Sequence, residues 1–219
     1  MSTEIKYTDT YNKILTAQQL KQTDEFVKHT YVDGMLKIME RNYKVARNSK
    51  KFKRTTYFID DATEDQDTVA SQLCCIEENA SCSIRYNRQI SNGFTLWDGQ
   101  FYDVDGLPKG NRGQEVYNNL GRIVYSSILD NETSQTIKVT KTMYANETDN
   151  DWEDILFIFH FIRDIDTGEM ELGISDFNNR YYWLMPQDID VEFVQAEGYW
   201  DNFPYYHSHL PVVPDTENI

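Results

Sequence analysis

Apolar and polar positions alternate with a period of two through much of the chain, the spacing that turns one side of an extended strand toward a core. Phe52, Arg54, Thr56 and Phe58 interleave with Lys53, Thr55, Tyr57 and Ile59. Further strand candidates cover 26–32, 35–43, 82–90, 94–103, 122–129, 136–144, 155–163 and 170–175, with short ones at 181–185 and 191–194. Residues 155–163 form the most apolar run and predict a central strand. Turn formers stand between the runs. Asp33-Gly34 and Asn92-Gly93 tolerate positive φ and predict tight hairpins. Asp130–Thr133 and Asp164–Gly168 join the next two pairs by Asp, Asn, Thr and Gly turn chemistry.

Helical signals are few. Thr16 is an N-cap residue ahead of Ala17–Glu25, a stretch with one β-branched residue, and predicts a short helix. Residues 69–75 fit a strand or a short helix equally. Residues 60–68 and 105–113 read as loops, the second holding three glycines and a proline. Short turns join nearly every strand to the next and leave no room for crossover helices, so an antiparallel sheet is expected. The expected fold class is mainly β (α+β with one short N-terminal helix). It is an antiparallel meander forming a curved sheet, a sandwich or an up-and-down barrel. One domain over 1–219 is expected, ending from about residue 199 in an irregular tail marked by Pro204, Pro211 and Pro214.

With 219 residues the chain is long enough to bury roughly 70% of its unfolded surface and to stand without staples. Its longest apolar run, 155–162, is far short of the ~18 residues of a membrane span. The opening MSTEIKYTDT lacks the apolar core of a secretory signal. Cys74, Cys75 and Cys82 are odd in number, and adjacent cysteines seldom bridge each other, so reduced thiols are expected. The Asn-x-Ser/Thr triplets at Asn79, Asn131 and Asn146 read as turns, and the expected compartment is the cytoplasm.

Charge changes this picture. The net charge is −15, and the 19 acidic and 4 basic residues of 130–219 account for all of it, because 1–129 carry 17 of each. A basic run, Arg41, Lys44, Arg47, Lys50, Lys51, Lys53 and Arg54, lies in the balanced part. It has three readings: folded against the acidic half, engaged between copies, or solvated. A large negative field repels nucleic acid and anionic membranes and speeds encounter with basic partners.

Motifs for catalysis or cofactors do not emerge. His207-Ser-His209 has a spacing zinc sites use, with Asp201 nearby, but no second ligand pair supports it, and no metal is expected. Asp103-Val-Asp105-Gly106 lacks the flanking ligands of a calcium loop, which Phe101 and Arg112 replace. Phosphate-binding glycine patterns are missing, and no base or cation adjoins Cys74-Cys75 to activate a thiol. His160, inside the apolar run, reads as a hydrogen-bonded core residue.

The remaining feature is aromatic. Tyr182 and Trp183 read as sheet core. Glu197, Tyr199, Trp200, Asp201, Tyr205 and Tyr206, with Asp151, Trp152 and Glu153, combine carboxylates with the ring types that anchor protein interfaces. They are the expected partner-binding residues. The expected function is that of a non-enzymatic acidic binding protein that occludes a basic protein such as a toxin or nuclease, as immunity proteins, antitoxins and anti-defence inhibitors do. It would use no cofactor and engage neither nucleic acid nor membrane. The alternative is a small β-barrel that binds an apolar ligand, with enzymatic action at its mouth as a variant.

Overall fold

The computed structural model describes residues 1–9, 13–44, 51–74, 80–102, 105–144, 155–176, 182–184 and 203–215. Among the described residues twelve strands hydrogen-bond in chain order: β1 (Thr3–Thr8), β2 (Phe26–Val32), β3 (Met35–Lys44), β4 (Lys51–Phe58), β5 (Ala80–Ser91), β6 (Phe94–Tyr102), β7 (Arg112–Tyr117), β8 (Ile123–Leu129), β9 (Thr136–Tyr144), β10 (Ile155–Arg163), β11 (Met170–Asp176) and β12 (Tyr182–Leu184). The fold is mainly β and mostly antiparallel, as the alternation predicts, and the strand order does not close into a barrel.

One connection departs from the meander. β4 and β5 run parallel, in register from Lys53↔Ala80 to Phe58↔Arg85, and helix α2 (Gln66–Cys74) occupies the crossover. The expectation that no crossover helix fits is thereby corrected. The Asp65 carboxylate caps α2 by accepting from the amide and the hydroxyl of Thr68, both at 2.9 Å. The helix begins inside 60–68, which read as a loop, and covers most of 69–75, which fit a strand or a short helix. The first helix, α1 (Ala17–Gln22), is shorter than expected and carries a capping box between Thr16 and Gln19. Strands β1 and β7 were not anticipated. The N-terminal strand is largely exposed, and the other begins at Arg112, inside the 105–113 stretch that reads as a glycine-rich loop.

The chain forms two compact units. The first comprises 1–88, 98–111 and 150–152. In it α2 places Ala70, Val69 and Leu73 against Ile59, Cys82, Ile84 and Tyr102. Cys82 is buried and disulfide-bonded, which corrects the expectation of a reduced thiol there.

The second unit comprises 89–97, 112–149 and 153–219. Its core forms on one face of the β7–β11 meander, where the ladder registers align Val116, Tyr125, Lys141, Phe159 and Ile174 across five strands. Val139, Met143, Phe157 and Phe161 extend this face, and Tyr205 and Tyr206 close it. His160 lies on the opposite face, half-buried, with Nε2 at 3.1 Å from the Ser175 hydroxyl. It is hydrogen-bonded, as expected, but outside the core cluster.

Gly113 sets the approach of β7 to β8. A Cβ there would sit 2.2 Å from the Ser127 carbonyl oxygen, a backbone atom that cannot rotate away. Gly113→Ala is expected to destabilise by about 1–3 kcal/mol, the usual cost of overpacking. Urea unfolding of the variant beside the wild type checks this, and an unchanged midpoint would show that the ladder yields.

Candidate functional site

Two hairpin turns of the second unit share one design. The β8–β9 turn is Asp130-Asn-Glu-Thr-Ser-Gln135, and the β10–β11 turn is Asp164-Ile-Asp-Thr-Gly-Glu169. In the first, the Asp130 carboxylate accepts from the amides of Glu132 (3.1 Å) and Thr133 (2.7 Å) and from the Thr133 hydroxyl (2.8 Å). In the second, Asp164 accepts from Asp166 (3.0 Å), Thr167 (2.6 Å) and the Thr167 hydroxyl (2.9 Å). Each Asp amide also donates to the carbonyl of the turn's sixth residue, at 2.8 Å in both. The fifth position takes positive φ, +58° at Ser134 and +75° at Gly168. Hydrogen bonds from the threonines, backbone first, hold the Asp130 and Asp164 carboxyls below the ordinary carboxylate range.

These bonds settle where the charge points. Asp130 and Asp164 are half-buried and spend their carboxylates on the turn, whereas Glu132, Asp166 and Glu169 are exposed, as is Glu171 on β11. Because β8, β9, β10 and β11 run antiparallel in succession, both turns leave the sheet at the same end. The arginines of that end do not neutralise them. Arg163 donates to the Thr136 carbonyl at 2.7 Å, and Arg112 donates to the Ser134 hydroxyl at 2.8 Å. Asp130, Glu132, Asp164, Asp166, Glu169 and Glu171 enter no ion pair among the described residues, while ion pairs between described side chains concentrate in residues 1–64.

Of the residues expected to bind a partner, Asp151, Trp152, Glu153, Glu197, Tyr199, Trp200 and Asp201 lie outside the described residues. Tyr205 and Tyr206 are buried, at 3% and 1% exposure, and are corrected from surface anchors to core residues. The reason is local. A single 3-10 turn, Pro204–His207, rolls both rings onto the sheet, so a segment marked irregular by its prolines is docked. Tyr206 stacks on Phe159 with ring centroids 4.6 Å apart and donates its hydroxyl to the Thr142 carbonyl at 3.4 Å. Tyr205 donates its hydroxyl to the Val212 carbonyl at 3.1 Å. His207 is exposed at the end of this turn, and the described residues hold no cluster of metal-binding side chains.

Beneath the turn lies a residue that sequence reasoning missed. Lys141 is fully buried; its Nζ donates to the Tyr205 carbonyl at 2.6 Å and sits 3.7 Å from the centre of the Tyr205 ring. The readable signal was its parity with Val139 and Met143, which places a lysine where the alternation calls for an apolar residue. Burial pushes its pKa down to about 7. Tyr125 and Phe159 flank it on the neighbouring strands, and Phe161 lies 6.0 Å away. His209 is held below its ordinary value by burial, then by the charges of Lys141 and Arg163. Burial raises the Tyr205 and Tyr206 hydroxyls. The amine carries no acidic partner among the described residues, and it anchors the C-terminal segment to the sheet. No helix among the described residues is long and apolar enough to cross a membrane.

No family model, no curated protein and no solved structure matches this chain, so its chemistry is read from its own residues.

Lys141 makes stability depend on pH. Between pH 7 and about 10.4 the unfolded lysine binds a proton that the folded one does not, so stability rises with pH in that window and flattens below it. The raised tyrosines act oppositely above pH 10, where the unfolded chain ionises first. Chemical denaturation between pH 7 and 9 is expected to show a slope of up to about 1.4 kcal/mol per pH unit, lost in Lys141→Met. A slope that survives the substitution would assign it to another group.

Proposed function

We propose that this chain is a non-enzymatic binding protein that uses carboxylates of its second unit to engage and occlude a basic protein partner. The supporting observation is the outward, unpaired carboxylate set of the two turns, Glu132, Asp166 and Glu169, continued by Glu171 on β11. Exposed carboxylates without ion pairs leave their field for a partner, where guanidinium and ammonium groups pair with them and the field speeds encounter. Asp151, Trp152, Glu153, Glu197, Tyr199, Trp200 and Asp201 supply further carboxylates and rings to this reading by sequence. Immunity proteins, antitoxins and anti-defence inhibitors are the functional classes whose acidic character it shares, an analogy of composition.

The test is association with a basic partner recovered by affinity purification from the source cells. Glu132→Lys, Asp166→Lys and Glu169→Lys combined are expected to slow association about tenfold at low salt, with the difference shrinking as ionic strength rises. Unfolding free energy should stay within about 0.5 kcal/mol of wild type, since these side chains are exposed. Retention of no basic protein at either low or moderate salt would overturn the reading.

A further inference from the structure

The described part of the basic run, Arg41, Lys44, Lys51, Lys53 and Arg54, divides between two chemically different faces, and Arg47 and Lys50 lie outside the described residues. On one face of the β2–β4 sheet the lysines are consumed locally. Glu40 receives Lys28 at 2.6 Å and Lys53 at 2.8 Å, and Asp24 receives Lys51 at 2.7 Å and Lys44 at 3.2 Å. The pairing lowers the Asp24 carboxyl, first through the Lys51 hydrogen bond. Next to this network Lys37 joins Asp60 and Glu64.

The opposite face is unlike it. Arg41 and Arg54 are direct cross-strand partners, both exposed, and neither has an ion pair or hydrogen bond among the described residues. Like charges directly opposite destabilise a sheet, so the Arg41–Arg54 contact works against the ladder that holds it. Two residues along each strand, on the same face, Tyr43 and Phe52 are also partners, half-buried and stacked with centroids 5.8 Å apart. At a rise of about 3.3 Å per residue the ring pair lies roughly 7 Å from the guanidinium pair along the strands.

We infer that this face docks an extended acidic segment of a partner protein. An extended segment presents residues i and i+2 on one side at the same spacing of roughly 7 Å, so a carboxylate can meet the arginines while an apolar side chain meets the rings. Guanidinium groups bind carboxylates in a bidentate fork, and Arg and Tyr are the residue types that dominate interface energetics. Charge decides between polypeptide and nucleic acid. A phosphate backbone meets the −15 chain with densely spaced charges along its whole length, whereas a segment with one or two carboxylates meets only the local pair, within a Debye length of about 8 Å. The inference is independent of the acidic turns and concerns a different unit.

Fluorescence anisotropy tests it with a labelled peptide of three Glu-Thr-Phe-Thr repeats and a labelled oligothymidylate of matched length. The peptide is expected to bind the wild type and to bind Arg41→Glu/Arg54→Glu at least tenfold more weakly. Tyr43→Ala/Phe52→Ala is expected to weaken it about fivefold. The lysine-substituted acidic turns, used as a control, should leave peptide binding unchanged, so failure here is separable from failure of the proposed function. No peptide binding, or equal binding by the arginine variant, overturns the inference. Tighter binding of the oligothymidylate through the same four residues would also overturn it, by assigning the face to nucleic acid. Circular dichroism melts check that the variants remain folded, since the arginine variant sets two glutamates opposite each other, one like-charge pair in place of another.

Discussion

A lysine ammonium or amine in an apolar core is costly, and the second unit is arranged around one. Lys141 occupies the middle of a row that otherwise runs Val116, Tyr125, Phe159 and Ile174. Its amine has one hydrogen-bond acceptor among the described residues, the Tyr205 carbonyl, and one close ring face, also from Tyr205. Both come from the C-terminal segment. The turn that brings Tyr205 therefore satisfies the amine and covers Phe159 with Tyr206 in the same step. Without that segment the sheet face would be apolar, exposed and punctuated by a charge, and the charge would draw in water. The segment and the lysine make sense only together.

How much of this was readable in advance follows from where the information sits. The strand pattern marked β2–β6 and β8–β11, and on β10 it separates buried Phe157, Phe159 and Phe161 from half-buried Ile158 and His160. It failed at β1, whose residues are mostly exposed on both faces, and at β7, where the glycine that permits close approach to Ser127 looks like a loop residue. Residues 69–75 fit strand and helix alike, and the helix start stays hidden because its Asp65 cap uses the same Asp-x-x-Thr arrangement as the two hairpin turns, so the motif alone does not distinguish a helix start from a turn. Tyr205 and Tyr206 were misplaced because prolines signal the end of regular structure and say nothing about packing. Burial of a proline-flanked segment is a tertiary outcome.

Charge was legible as a total and not as a layout. The excess of carboxylates after residue 129 is a count, but which of them point outward depends on turn geometry. Asp130 and Asp164 are as acidic by count as Glu132 and Asp166, yet their oxygens belong to the turn. Likewise the basic run looked uniform. Register separates it into lysines that meet Glu40 and Asp24 and arginines that meet each other, because adjacent residues of a strand face opposite ways.

The paired turns carry a broader consequence. In each, the fold is held by the first and fourth residues, and the third contributes only its amide to the structure while its side chain projects freely. The skeleton and the displayed residue are thus decoupled. Mutational drift can rewrite what this end of the molecule presents, exchanging acid for amide or base at the third position, while the loop keeps its shape. A surface built this way can change its chemistry without renegotiating its own folding.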